Sequence, residues 1–128
     1  LHDELKRLDD VPELETTLII INQQLSDFEA FNQTLDYIDD MLDQYGWSGI
    51  FQVASFHPYY QFADTKIDDR ENWTNRSPYP IFHILRESSL ELAIESFPSI
   101  VDLPQENIKR MNGLSSQVFA QVLQLSQA

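Results

Sequence analysis

Apolar and polar positions along this chain follow two periods in turn. At the start, Leu1, Leu5 and Leu8 recur at helical spacing among His2, Asp3, Glu4, Lys6 and Arg7, so the chain begins inside a helix pattern. After Val11-Pro12, the stretch Glu15 to Ile21 is rich in β-branched residues and ends in the unbroken run Leu18-Ile19-Ile20-Ile21. That is the pattern of a strand covered on both faces and central in its sheet. Ser26-Asp27-Phe28-Glu29 has the form of a capping box, with Ser26 and Glu29 each able to accept the other's amide. Phe28, Phe31, Leu35, Ile38, Met41, Leu42 and Tyr45 then fall within roughly 140° of arc, with Asp36, Asp39, Asp40 and Asp43 opposite. The spacing predicts a helix over 28–45 that rests on a sheet, keeps its acidic side wet and ends at Gly46.

Gly49 to Phe56 reads as a second strand, so strand, helix and strand form a crossover expected to be parallel and right-handed. Gln61 to Arg76 is polar and without period, a functional loop in preference to a simple connector. Ser77-Pro78-Tyr79-Pro80 offers a cap and two prolines preset for a first turn, and predicts a helix running to about Phe97, where Pro98 stops it. A shorter helix is expected from Asp102 to Met111, and after Gly113 comes a last amphipathic piece with Val118, Phe119, Val122 and Leu123. The fold class is therefore α/β, a small mainly parallel sheet with flanking helices. An all-apolar strand with one evident partner strand leaves a gap. Either a second copy of the chain covers that edge as a homodimer, or upstream residues complete the sheet. The start inside a helix pattern without an initiator Met favours a missing N-terminal helix-strand portion.

Composition narrows the classes of function. The 128 residues suit one domain spanning 1–128, 42% hydrophobic and 12% aromatic, enough to bury a core, and 3 glycines leave no material for a phosphate loop. Without cysteine there is no disulfide, thiolate zinc site or Cys nucleophile. A net charge of -13 repels nucleic acid and anionic membrane, and no run approaches the ~20 apolar residues of a membrane span. A cytoplasmic protein without nucleic-acid or membrane partners is the expectation. Asn32-Gln33-Thr34 and Asn72-Trp73-Thr74 match a glycosylation triplet, read as chance in the absence of a secretion signal.

Positive charge is uneven. From Leu8 to Thr65 there is no Lys or Arg against eleven acids, whereas Lys66, Arg70, Arg76 and Arg86 crowd into the loop and the segment after it. Arg76 precedes the expected helix N-terminus, whose free amides already favour an anion. The plain alternative is that Lys66 and Arg70 pair with Asp68, Asp69 and Glu71. On the expected helix, His83, Arg86 and Glu87 share a sector with Leu90, Ile94 and Phe97, so three polar groups face partly inward and need partners. An intrahelical His83–Glu87 pair, with Arg86 reaching to water, would also satisfy them. His57 ends a strand, at the carboxyl edge where ligands of parallel sheets bind, and would meet Tyr60, Arg76, His83 and Glu87 there. His57, His83 and Glu87 also have the makings of a two-His, one-carboxylate metal site.

The run Val53-Ala54-Ser55-Phe56-His57-Pro58, then Tyr60-Gln61-Phe62, Asp69, Asn72, Thr74-Asn75-Arg76-Ser77-Pro78-Tyr79-Pro80, His83 and Leu85-Arg86-Glu87, resembles a bacterial family known as domain of unknown function 1415. With Glu15-Thr16-Thr17-Leu18 at one end and Asn107-Ile108 at the other, the resemblance covers about residues 15–108. It implies a bacterial cytoplasmic protein and supplies no reaction. It also implies that relatives begin further upstream with a helix, a Cys-Pro segment and another strand. Taken together, the sequence supports an enzyme-like pocket for a small anionic ligand, by hydrolysis or group transfer. His57, His83 and Glu87 are the catalytic candidates, and Tyr60, Asn75, Arg76, Ser77 and Arg86 the binding ones. The alternatives are a non-catalytic binding or assembly module, whose polar cluster holds the loop and whose acidic surface meets a basic partner, and a metal-binding protein. No cofactor is named by any motif.

Overall fold

The computed structural model of the chain describes residues 1–127. Helix α1 (His2–Asp10) leads into strand β1 (Thr17–Ile20), helix α2 (Phe28–Gln44) and strand β2 (Phe51–Phe56). A 3₁₀ turn (Arg70–Asn75) interrupts the next loop before strand β3 (Ile81–Arg86) and helix α3 (Glu87–Ser96). A second 3₁₀ turn (Pro98–Asp102) and helices α4 (Leu103–Gly113) and α5 (Ser116–Gln127) complete the order.

The three strands form one sheet in the order β1-β3-β2, antiparallel throughout. The expected mainly parallel sheet is thus corrected, for a definite reason. Because β1 and β2 both oppose β3, they do run parallel to one another, as the strand-helix-strand pattern requires. The segment read as a helix from Pro80 onward is instead the strand that fills the slot between them. Pro80 is buried, and its carbonyl accepts the Ile21 amide at 2.9 Å, so its fixed φ leads into a strand. Helix forms only from Glu87, whose amide bonds Ile50 O at 2.9 Å.

Alternation along β3 sorts the faces of the sheet. Phe82 and Ile84 point into a core with Leu5 and Leu8 of α1, Phe31, Ile38 and Leu42 of α2, and Trp47 and Phe51. Phe31 stacks on Phe82 with centroids 4.8 Å apart. Each fully buried side chain of this set contributes about 1.5–3 kcal/mol relative to exposure. The opposite face carries Leu18, Ile20, Ile81, His83, Leu85, Ala54 and Phe56. There Leu18 is 55% exposed and Ile20 57%, so β1 is neither central nor covered twice. Its outer edge pairs with no strand among the described residues.

Two local details bear on the sequence pattern. The cap of α2 is Asp27, whose carboxylate accepts the Ala30 amide at 2.9 Å, one residue later than the Ser26–Glu29 box. Gly46, at φ 72°, ends α2 as expected, in the left-handed conformation that favours glycine.

Candidate functional site

The residues after β2 are shaped by His57. It is fully buried between Phe28 and Phe31, and both ring nitrogens are used. Nε2 donates to Leu25 O at 2.9 Å, and Nδ1 accepts the Tyr59 amide at 3.0 Å, which fixes the tautomer. Leu25 sits at φ 59°, a conformation that costs a non-glycine residue about 1 kcal/mol and that the His57 bond helps hold. His57 therefore ties the turn before α2 to the exit of β2 and sets the direction of Pro58-Tyr59.

The long loop folds on its own polar groups. Asn72, fully buried, accepts from the Phe62 amide at 2.8 Å and from Thr65 Oγ1 at 3.1 Å, and donates to Lys66 O at 2.7 Å. A buried Asn72 also disposes of the second glycosylation triplet in the folded chain. Asn75 donates to Ser55 O at 3.2 Å, while its own carbonyl accepts the His57 amide at 3.2 Å, so the loop's end is stitched to the end of β2. Tyr60 rests against Phe28 and Phe62, and burial pushes its phenol above the ordinary value of 10.0, with a Ser55 hydrogen bond opposing.

Arg76 comes next in the chain's path around the site. Its Nε donates to Tyr60 O at 3.1 Å and Nη2 to Ile67 O at 2.5 Å, and the guanidinium lies over the Trp73 ring at 4.7 Å. Burial lowers its pKa from the ordinary arginine value. Beside it, Ser77 Oγ donates to Tyr79 O at 2.6 Å. Arg76 and Ser77 border a cleft of about 410 Å³ whose other walls are Pro58, Tyr59, Trp73 and Pro78, closed by Met111 of α4 and Val122 of α5. Such a volume lies within the range of small-molecule sites.

Among the described residues, no arginine of this loop and sheet meets a carboxylate. The ion pairs among the described residues, His2–Asp3, Lys6–Asp10 and Arg7–Glu4, all lie in α1. Lys66 and Arg70 do not pair with Asp68, Asp69 or Glu71. Asp69 instead accepts the Lys66 amide at 2.9 Å, and Arg70 donates to Leu114 O at 2.5 Å beneath the Phe119 ring.

The remaining candidates are not gathered here. Arg86 is paired in register with Phe51, five residues of strand away from the Phe56–Ile81 pair that adjoins His57, about 17 Å. Its guanidinium donates to Leu14 O at 2.9 and 2.7 Å and to Leu8 O at 2.6 Å, closing the end of α1. So Arg76 and Arg86 do not share a cavity. His83 lies on the open face opposite Leu18 and Ala54, whereas His57 is buried among the rings that cover the other face. Glu87, four residues beyond His83, would be one helical turn away on a helix but is about 13 Å away along a strand. The metal triad of His57, His83 and Glu87 is corrected accordingly, and no group of three His, Cys, Asp or Glu able to hold an ion occurs among the described residues.

Trp73 is not singled out by the sequence, where it stands as the middle residue of the Asn72-Trp73-Thr74 triplet. An aromatic ring three residues before Arg76 is the available signal. Met111 and Val122 carry none.

The family described as Protein of unknown function (DUF1415) matches residues 1–121. The chain belongs to this family. The DUF1415 match is wider than the motif resemblance around 15–108, and it takes in α1, α4 and the first part of α5. Every wall of the Arg76 cleft except Val122 thus lies within the DUF1415 region. No curated protein and no solved structure gives a match. No helix among the described residues is long and apolar enough to cross a membrane.

Proposed function

We propose that the protein binds a small anionic ligand in the cleft beside Arg76. One observation carries this reading: in a chain of net charge -13, a half-buried guanidinium faces a cleft without a carboxylate partner among the described residues. Of its five N–H groups two are committed to carbonyls, and the stacking on Trp73 holds the plane of the fork in place. Tyr59 is the polar companion at the rim, while the Ser77 hydroxyl already donates to Tyr79 O. Asn75 and Tyr60 position the arginine, and His57 positions Pro58-Tyr59. His57, with both ring nitrogens bonded inside the fold, is not free to exchange a proton with a ligand, so the reading is one of binding, without an assigned hydrolysis or group transfer. Thermal-shift titration with phosphate, acetate and benzoate tests it. Saturable stabilisation by at least one of them, lost in Arg76→Gln, is expected. Unchanged melting with all three, or an equal shift in the variant, contradicts it.

A second reading, assembly, is supported by the open sheet face. Leu18 and Ile20 are more than half exposed beside Ile81 and Leu85, and that face carries no Lys, Arg, Asp or Glu within the strands. Two copies that each carry -13 can approach most readily through an uncharged surface. The reading predicts twice the chain mass in sedimentation equilibrium at tens of micromolar, reduced to one chain by Leu18→Lys. A single-chain mass at every concentration removes it.

A further inference from the structure

Resting on the anion reading of the Arg76 cleft, we infer that the ligand is a monocarboxylate carried on an apolar body of aromatic size, and not a free inorganic anion. The walls decide this. Apart from Arg76, Ser77 and the rim tyrosine, the cleft is bounded by Pro58, Trp73, Pro78, Met111 and Val122, none of which offers a side-chain partner to a multiply charged ion except the Trp73 indole N–H. One guanidinium matches one carboxylate in a two-bond fork, whereas a phosphate dianion would leave charge and acceptors unanswered against apolar walls. A volume of about 410 Å³ also far exceeds what acetate or phosphate fills, and an empty apolar remainder gains nothing from binding.

Two of the apolar walls continue beyond the cleft. Trp73 and Met111 also line an adjoining hollow of about 330 Å³, with Asn107, Arg110 and Leu114. A thioether and an indole shared by two hollows suit a flat or flexible apolar group, since methionine adapts its shape to what it meets. The Trp73 ring keeps its place because Arg76 covers it at 4.7 Å and the Phe119 ring meets it edge-on at 6.0 Å.

Isothermal titration of the purified chain with 2-naphthoate, acetate, inorganic phosphate and neutral 2-naphthylmethanol tests the inference. The expected result is 2-naphthoate binding at least about tenfold tighter than each of the others. Acetate or phosphate binding as tightly as 2-naphthoate would overturn the amphiphilic ligand and leave the anion reading standing. Equal binding of 2-naphthylmethanol would overturn the anion reading together with the inference, and so would no binding by any probe. Arg76→Gln also loosens the loop it fastens, so Met111→Glu and Val122→Asp serve as second variants. Each is expected to weaken 2-naphthoate at least about tenfold with an unchanged circular dichroism spectrum. Unaltered affinity in both would place the ligand elsewhere and overturn the inference.

Discussion

At the scale of single residues, the polar groups that stand out in the sequence divide into those that fasten the chain and one that faces a cleft. His57 fastens. His57→Ala removes a fully buried ring and strands Leu25 O and the Tyr59 amide, and is expected to cost about 2–4 kcal/mol in urea unfolding. A ring poised for catalysis in an open site would cost little. Arg86 fastens too, through carbonyls at both ends of the α1–β1 connection. Arg86→Lys keeps the charge, loses the fork, and should still destabilise by about 1–3 kcal/mol by the same assay. For Tyr60, whose pKa is raised in the fold by burial, the protonated phenol is the favoured form. Its contribution to stability is full below the unfolded-state value of 10.0 and declines as pH rises past it toward the higher folded value. Tyr60→Phe should flatten that alkaline loss in melting temperature, and an identical alkaline profile would count against the assignment. Sequence alone marked Arg86, of these three, as needing partners. It could not say that the partners are backbone carbonyls distant along the chain, since Arg86 and Leu8 are 78 positions apart.

Among the elements, helix 28–45 and the strands near 15–21 and 49–56 were legible because their periods are clean and their ends are marked by the Ser26–Glu29 box, Gly46 and Pro12. The third strand was not. Ile81-Phe82-His83-Ile84-Leu85-Arg86 is apolar on both faces, so its period of two is blurred, and two prolines before it imitate a helix start. Burial settles the matter: Ile84 is fully buried, whereas Ile94 and Phe97, which a long helix would have turned inward, are 42% and 65% exposed. Phe82→Ala should therefore cost about 3–5 kcal/mol and Phe97→Ala under about 0.5 kcal/mol in denaturant unfolding. Comparable costs would restore the helix. The candidate site changes with it, because the spacing that would gather His83, Arg86 and Glu87 on a helix spreads them along a strand instead.

For the whole molecule, the consequence of the β1-β3-β2 order is a division of labour between two faces and two ends of one small sheet. One face holds the core with α1 and α2, and the other is half-buried along β2 and β3 and exposed along β1. One end is closed by Arg86 against α1. At the other, the loop after β2, held by His57, Asn72 and Asn75, presents Arg76 to a cleft that α4 and α5 close. The charge excess and the loop's departure from periodicity located that end in the sequence, while the walls supplied by Met111 and Val122 depend on tertiary folding alone. The measurement that bears most directly on a ligand there is a two-dimensional ¹H–¹⁵N spectrum, including the arginine Nε–H and tryptophan indole signals, recorded through a titration with benzoate. The account predicts saturable shifts concentrated at the Arg76 Nε–H, the Ser77 amide and the Trp73 indole, with the Arg86 Nε–H and the Trp47 indole unmoved. Shifts that never saturate, or that spread evenly over Lys6, Arg7, Lys109 and Arg110, would contradict it.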